Sequence, residues 1–561
     1  MAKYKPFDRV PLERRAWPDR SVEKAPVWCS VDLRDGNQAL AVPMNVERKL
    51  AFFDLLVKIG FKQIEVGFPS ASQTEFDFLR RLIDEGRIPG DVTIQVLCQA
   101  REHLVVRTFE AIAGAKSAIF HLYNSTSPAQ RKYTFGMTKS EIVEVAVGGI
   151  RFIKKHIGRA EGIRLGLEYS PESFSSTEPD FALEICEAVK REWLAPPAPD
   201  GGKIIFNLPT TVEYTTPNVF ADQIEYFCAH ISERERVLVS LHNHNDRGTG
   251  VACFELGLLA GADRAEGTLF GNGERTGNLD LVNAALNLYS QGVETGLDFS
   301  CLPAVAEQYT KLTGMTVPPR QPYAGELVFT AFSGSHQDAI RKGMAAREGQ
   351  GEDAPWDVPY LSLDPHDIGC RYEAIIRINS QSGKGGSAWI LEQDHGIYLP
   401  KAMQPAFGAI VQKAADAAQR ELDSGEIFRL FADRWLRRVE PLRILDLAET
   451  HVDAAKGSPA PQVLCRASVQ WKGTVHCVGG KGNGPVDAFI AALATAEAVP
   501  KFAVSAFHEH SIGTGAGTDA MAYVEITAED GARHWGCGQN SNIGRAGIEA
   551  VVSAINQLGA A

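Results

Sequence analysis

His242 and His244 stand two residues apart in Val237-Leu-Val-Ser-Leu-His-Asn-His-Asn-Asp246, at the polar end of an apolar run. Alternate side chains on a strand share a face, so both imidazoles can reach one ion. A single histidine would read as a surface or satisfied core residue. A pair at strand spacing, followed by Asn245, Asp246, Arg247 and Gly248, reads as a metal site. Arg34-Asp35 supplies a second pair of chemical groups. Alone it would read as a surface salt bridge, but beside a metal its guanidinium is suited to stabilising a developing alkoxide. Asp35, His242, His244 and the neutral Asn278 form a mixed oxygen–nitrogen set that suits Mg, Mn or Zn without selecting among them. An open divalent ion on that set can chelate a 2-oxo acid through its carboxylate and keto oxygens and act as a Lewis acid on the ketone carbon.

These residues need a scaffold that brings distant segments together. From residue 27 to about 292 the chain alternates short β-rich runs with amphipathic ones. The expected strands are Val27–Asp32, Gln63–Gly67, Thr93–Leu97, Ala118–Leu122, Arg164–Tyr169, Ile204–Leu208, Leu238–Leu241 and Arg264–Phe270. Between them lie helical patterns such as Val46–Ile59, with Leu50, Phe53 and Val57 at three- and four-residue spacing. Eight β/α units of this total length predict a (β/α)8 TIM barrel, with a doubly wound open sheet as the alternative. In a barrel, chemistry sits just after the C-terminal ends of strands. Arg34 and Asp35 follow strand one, Glu65 lies on strand two, and Tyr123 and Asn124 follow strand four. Glu172 follows strand five, Thr210 and Thr211 strand six, and Asn272, Glu274, Arg275 and Asn278 strand eight. Closure makes strands one, seven and eight neighbours, so Asp35, His242, His244 and Asn278 are expected to converge.

Two glycine-rich stretches have other possible readings. Gly271-Asn-Gly-Glu-Arg-Thr-Gly277 lacks the dinucleotide-binding spacing and here ends strand eight; Ser382-Gly-Lys-Gly-Gly386 lacks the spacing of a phosphate loop. Residues 293–440 read as a linker with small subdomains, broken at Pro318-Pro319, with helical patterns at Gly334–Gly343, Ala406–Leu422 and Ile427–Arg438. The last 120 or so residues carry a weak internal repeat. Ala467–Gln470, His476–Gly479 and Val486–Ala498 are echoed by Ala522–Ile526, His534–Gly538 and Ile543–Leu558, with a hairpin turn at Asp530-Gly531. A pseudo-symmetric α/β regulatory or binding domain is expected there. The division read is an extension at 1–26, a catalytic barrel at 27–311, linker subdomains at 312–440 and the regulatory domain at 441–561.

A formal charge of −12 argues against nucleic-acid or anionic-membrane partners. The ten cysteines contain no C-x-x-C pair, which fits neither a disulfide framework nor a zinc finger and suggests a reducing compartment. Without a visible signal peptide or an apolar run of about 18 residues, the expected location is the cytoplasm.

Asp32-Leu-Arg-Asp-Gly-Asn-Gln38, Glu65-Val-Gly-Phe-Pro69, Tyr169-Ser-Pro-Glu172, Leu241-His-Asn-His-Asn-Asp246 and Gly271-Asn-Gly-Glu-Arg-Thr-Gly-Asn278 together resemble the acyl-CoA condensing and cleaving barrel family. That family includes isopropylmalate, homocitrate and citramalate synthases and hydroxymethylglutaryl-CoA lyase. Phe332-Ser-Gly-Ser-His-Gln-Asp338, Trp356-Asp-Val-Pro-Tyr360, Asn379-Ser-Gln-Ser-Gly-Lys-Gly-Gly386 and Gly513-Thr-Gly-Ala-Gly-Thr-Asp519 extend the resemblance to the longer, leucine-regulated type of 2-isopropylmalate synthase. It implies condensation of acetyl-CoA with a 2-oxo acid, 3-methyl-2-oxobutanoate, on a divalent metal. Mg2+ is the first choice, Mn2+ or Zn2+ the alternatives, and K+ a possible activator. The implied metal ligands are Asp35, His242, His244 and Asn278. Arg34, His121 and Thr211 would bind substrate, and Arg34, Glu172, His336 and Tyr360 would serve catalysis. Leucine would inhibit through Gly513, Gly515, Gly517 and Asp519, in a homodimer. A lyase running the carbon–carbon bond in reverse and a non-catalytic leucine-responsive binder remain as alternatives.

Overall fold

The computed structural model describes residues 3, 7–196, 203–331, 333–351, 354–372, 386–418, 422–452, 462–513, 515 and 517–558. The glycine-rich segment 382–385 lies outside them. The chain divides into two compact units, one of residues 1–329 and 362–372, the other of 330–361 and 373–561.

The first unit is a closed barrel of eight parallel strands in sequential order. They are β1 (Val27–Ser30), β2 (Gln63–Gly67), β3 (Thr93–Gln99), β4 (Ser117–Ser125), β5 (Arg164–Glu172), β6 (Ile204–Thr210), β7 (Val237–Asn243) and β8 (Arg264–Gly267). Closure is made by β1 on β8, Val27 opposite Arg264 through Ser30 opposite Gly267, so the open-sheet alternative is excluded. The helices follow the amphipathic patterns. Val46–Ile59 buries Leu50, Phe52, Phe53, Leu56 and Ile59, starts on an Asn45 cap and stops at Gly60 with φ 113°. Each fully buried side chain of this kind contributes roughly 1.5–3 kcal/mol. Lys139–Lys155 starts on a Thr138/Glu141 capping box. Strand eight is shorter than its apolar pattern suggests. It ends at Gly267, and a 3-10 turn over Leu269–Gly271 takes over, with Phe270 in the left-handed region at φ 57°.

The barrel interior is not apolar throughout. Gln95, Glu168, Ser240, Arg264 and Glu266 are all 0% exposed. They form an ionic layer across the strands.

In the second unit, β9 (Leu442–Val452), β10 (Gln462–Trp471) and β11 (Thr474–Gly482) form one antiparallel sheet, and β12 (Phe502–Ile512), β13 (Asp519–Ala528) and β14 (Arg533–Asn540) another. Each sheet is followed by a helix, Pro485–Leu493 and Ile543–Leu558, and the repeat is therefore three strands and a helix. Its register is set by glycines. A Cβ on Gly480 would lie 2.2 Å from Ala492 N, and on Gly536 2.1 Å from Ala554 N, so each helix lies directly on its third strand. Gly480 and Gly482 thus correspond to Gly536 and Gly538, and His476 is not the counterpart of His534. Strand β13 is buried on both faces. Ala520, Ala522, Val524 and Ile526 join the core shared with both helices. Met521 and Tyr523 join a second core with Phe407, Phe431 and Trp435 from the helices of 386–436. That stretch, expected as a set of small linker subdomains, shares its core with the second sheet.

Candidate metal centre and active site

Strand β7 ends at Asn243, and His244 just beyond it, bridged to Asn278, keeps its ring near that of His242, with centroids 5.3 Å apart. After β1, a tight π-turn over Asp32–Gly36 lifts Arg34 and Asp35 above the strand end. Asp32 holds that turn to β8 by accepting the Leu269 amide at 3.1 Å, and Asn272 Nδ2 donates to the Gly36 carbonyl at 2.9 Å. The glycines after β8 have a steric purpose. A Cβ on Gly273 would lie 2.2 Å from Asn278 Nδ2, and one on Gly277, at φ 98°, would lie 2.0 Å from the Gly271 carbonyl. The loop can therefore fold tightly around Asn278.

Asp35, His242, His244 and Asn278 converge and are 3–7% exposed. Asp35 Oδ2 lies 3.5 Å from His242 Nε2 and 3.9 Å from His244 Nε2. Asn278 Nδ2 donates to Asp35 Oδ2 at 2.8 Å, and its Oδ1 is 3.1 Å from His242 Nε2. The ligand atoms of Asp35, His242 and His244 all lie within 4.8 Å of one another. A divalent ion fits this donor set. His244 Nδ1 is buried with no hydrogen-bond partner, and burial together with the neighbouring His242 charge lowers the His244 pKa to about 4. Its ring is therefore the neutral, ligating form. Burial opposes charge on His242 too, but hydrogen bonds to Asp35 and Glu266 outweigh it and raise that pKa to about 9. Burial would raise Asp35, yet the Arg34 charge and the His242 hydrogen bond hold it well below the usual carboxylate range.

Arg34 is paired on both sides, by Nη1 with Asp35 and by Nε with Glu65 Oε2 at 2.7 Å. Glu65 Oε1 also bonds His121 Nδ1 at 2.8 Å, and the other ring nitrogen of His121 bonds Ser170 Oγ at 2.8 Å. Glu172, the last residue of β5, accepts the Ser125 hydroxyl. Thr211 Oγ1 accepts the amide of Ser173, a residue at φ 64°, at 2.9 Å. Thr210 Oγ1 accepts the His244 amide at 3.0 Å and so fixes the ligand backbone. Arg275 donates to Asp246 Oδ1 at 2.7 Å and to the Thr211 carbonyl, tying together the loops after β6, β7 and β8.

His336 and Tyr360 belong to the second unit, where their rings stack at 4.0 Å and 21°. His336 lies in the first turn of the helix Gly334–Arg347, and Tyr360 is 64% exposed at φ 65°. In the terminal domain Gly513 and Gly515 have φ of 90° and 117°. Gly517 lies in a turn, and Asp519 accepts from Gln539 Nε2 at 3.0 Å.

Residues 25–308 match the HMGL-like family model. Residues 326–392 match the alpha-isopropylmalate synthase post-catalytic domain-like model, and 421–559 the LeuA allosteric (dimerisation) domain. Among curated proteins, the chain is 51% identical to the 2-isopropylmalate synthase of Clostridium acetobutylicum over 99% of both chains. It is 51% identical to that of Acetoanaerobium sticklandii, covering 99% of this chain and 96% of the relative. Against that of Rhodospirillum rubrum it is 49% identical, covering 99% and 98%. The chain belongs to the 2-isopropylmalate synthase family. This 2-isopropylmalate synthase family chain also carries site residues that periodicity alone did not select, namely Gln95, Glu168, Ser170, Asn207, Arg264 and Glu266. Their signal was present as charged, amide and hydroxyl side chains inside strands whose neighbours are apolar, where charged groups in particular are rare unless paired. All ten cysteines are free, and among the described residues no helix is long and apolar enough to cross a membrane.

Proposed function

We propose that this protein condenses acetyl-CoA and water with 3-methyl-2-oxobutanoate, giving (2S)-2-isopropylmalate and CoA, the committed step of leucine biosynthesis. The observation that carries this reading is the convergence of Asp35, His242, His244 and Asn278 beside Arg34, in a chain half identical over its length to 2-isopropylmalate synthases. Those four residues would hold the divalent ion, with Mg2+ ahead of Mn2+ or Zn2+ and K+ as an activator; when bound, it supplies Lewis acidity toward the keto group. Arg34, fixed by Glu65 and Asp35, presents a preorganised positive charge where the C2 oxygen becomes an alkoxide. Thr211 holds the substrate carboxylate through its hydroxyl proton, and His121 contributes to substrate binding. Glu172, His336 and Tyr360 serve removal of a methyl proton from acetyl-CoA and the later attack of water on the thioester. The new bond joins that methyl carbon to C2; hydrolysis then releases CoA as the thiol.

Leucine acts through the terminal domain, with Gly513, Gly515, Gly517 and Asp519 at its site, and the protein works as a homodimer in the cytoplasm. The working division remains 1–26, 27–311, 312–440 and 441–561. The LeuA allosteric (dimerisation) domain match over 421–559 favours synthesis over a degradative lyase, which has little use for amino-acid feedback. The test is thiol release from acetyl-CoA with 2-oxo acids of increasing side-chain size. Turnover should peak at the isopropyl side chain. Preference for pyruvate or 2-oxoglutarate would instead identify a citramalate or homocitrate synthase.

A further inference from the structure

The ionic layer below the candidate metal centre is unusual for a barrel interior, which is ordinarily filled by branched apolar side chains. Within it Glu266, 0% exposed, has both carboxylate oxygens occupied. Arg264 Nη1 donates to Oε1 at 2.7 Å and Gln95 Nε2 to the same oxygen at 2.9 Å. Asn207 Nδ2 donates to Oε2 at 3.0 Å, and Oε2 lies 2.8 Å from His242 Nδ1. Arg264 is itself immobilised, donating to Ser240 Oγ, Gln95 Oε1 and Gln63 Oε1 at 2.7 Å each. Because a carboxylate accepts, the proton of a neutral His242 ring must sit on Nδ1, which leaves the Nε2 lone pair facing Asp35 and Asn278.

We infer that Glu266, clamped by Arg264, is a positioning residue that fixes the tautomer and orientation of His242 and thereby sets the affinity of the site for its metal. This rests on the metal reading given above. A carboxylate behind a ligating histidine raises the basicity of the ring and removes its rotational freedom, and loss of such a partner typically weakens metal binding about 10- to 100-fold. Glu168 provides the internal comparison. It is equally buried, lies 3.2 Å from the same Arg264 Nη1 and accepts from the same Gln95 amide at 3.4 Å, but the imidazole it meets, at 3.3 Å, is that of His121 rather than that of a metal ligand.

Metal-stripped full-length protein would be titrated calorimetrically with Mn2+ as wild type, Glu266→Gln, Glu266→Asp and Glu168→Gln, with thermal unfolding of each ion-free form recorded alongside. Glu266→Gln should weaken Mn2+ binding about 10- to 100-fold, and its activity should recover as Mn2+ is raised. Glu266→Asp, which keeps the charge but shortens the reach, should weaken binding in the same direction and serves if the glutamine variant does not fold. Glu168→Gln should bind Mn2+ as wild type does, even where its unfolding midpoint falls. Wild-type affinity in both Glu266 variants, or an equal loss in Glu168→Gln, would overturn the inference. A wild-type protein that takes up no Mn2+ would overturn the metal reading beneath it.

Discussion

The imidazoles of His242 and His244 lie 5.3 Å apart at the C-terminal end of β7, yet their surroundings drive their proton affinities in opposite directions. His242, held between Asp35 and Glu266, is raised to about 9; His244, buried with no carboxylate as close, is lowered to about 4. In the ion-free protein at neutral pH one ring is charged and the other neutral. Metal binding must then displace the His242 proton, so affinity should rise about tenfold per pH unit below pH 9. Calorimetry in buffers of different ionisation enthalpy should show about one proton released near pH 7. No proton release would contradict a protonated His242 in the ion-free site. Stability of the ion-free form follows from the same shifts. The His242 contribution is fully present below its ordinary value near 6.5 and is lost as pH rises toward 9. The depressed His244 acts at the other end, removing stability as pH falls from about 6.5 toward 4.

Removing His244 isolates the metal from the fold. The backbone amide of His244, bonded to Thr210 Oγ1, is untouched by substitution, and Nδ1 has no partner to lose. His244→Ala should therefore keep a cooperative unfolding transition in the ion-free state while metal content and keto-acid binding fall together. Full metal occupancy by elemental analysis with wild-type turnover would show that the ligand set is wrong.

His336 and Tyr360 stack on each other in the second compact unit, while Arg34 belongs to the barrel. If the site is completed between protomers, mixing Arg34→Ala chains with His336→Ala chains should restore activity through hybrid dimers. With random exchange, about a quarter of wild-type activity is the ceiling, since each hybrid has one intact site and half of the dimers are hybrids. Subunit exchange would be followed by tagged pull-down, and exchange without rescue would count against a shared site.

Leucine control can be separated from catalysis at Gly515. Its φ of 117° disfavours any side chain, although a Cβ there would meet no atom within 4 Å. Gly515→Val should reshape the loop, keep the uninhibited rate and raise the leucine concentration needed for half-inhibition. Truncation near Arg438 is a harsher change, because it removes the β13 and β14 residues Met521, Tyr523, Trp535 and Cys537 from the core built by the helices of 386–436. That truncation should aggregate or lose activity. A soluble, active truncation with undiminished inhibition by leucine would refute regulation through the terminal domain.

The barrel and its upper rim were legible in the chain because two periodicities act together there. Short β-rich runs marked the eight strands, and polar clusters at their C-terminal ends marked Asp35, His242, His244 and Asn278. The ionic layer was harder to read, since Arg264 and Glu266 find their partners on β3, β6 and β7, and no local pattern encodes those distances. In the terminal repeat, sequence similarity paired His476 with His534, whereas packing pairs the glycines that admit the helices. The first strand of each repeat was missed because β9 and β12 are largely exposed along their lengths, which leaves little apolar alternation to detect.

Catalysis as proposed needs one ion joining the keto acid to Asp35, His242, His244 and Asn278. Crystals grown with Mn2+ and 3-methyl-2-oxobutanoate, measured at the manganese absorption edge, test it directly. The predicted result is one anomalous peak within bonding distance of those four side chains, about 2.0–2.3 Å away, with two keto-acid oxygens completing the shell beside Arg34. Manganese bound elsewhere, or keto acid bound at Arg34 and Thr211 with no ion beside it, would contradict the account.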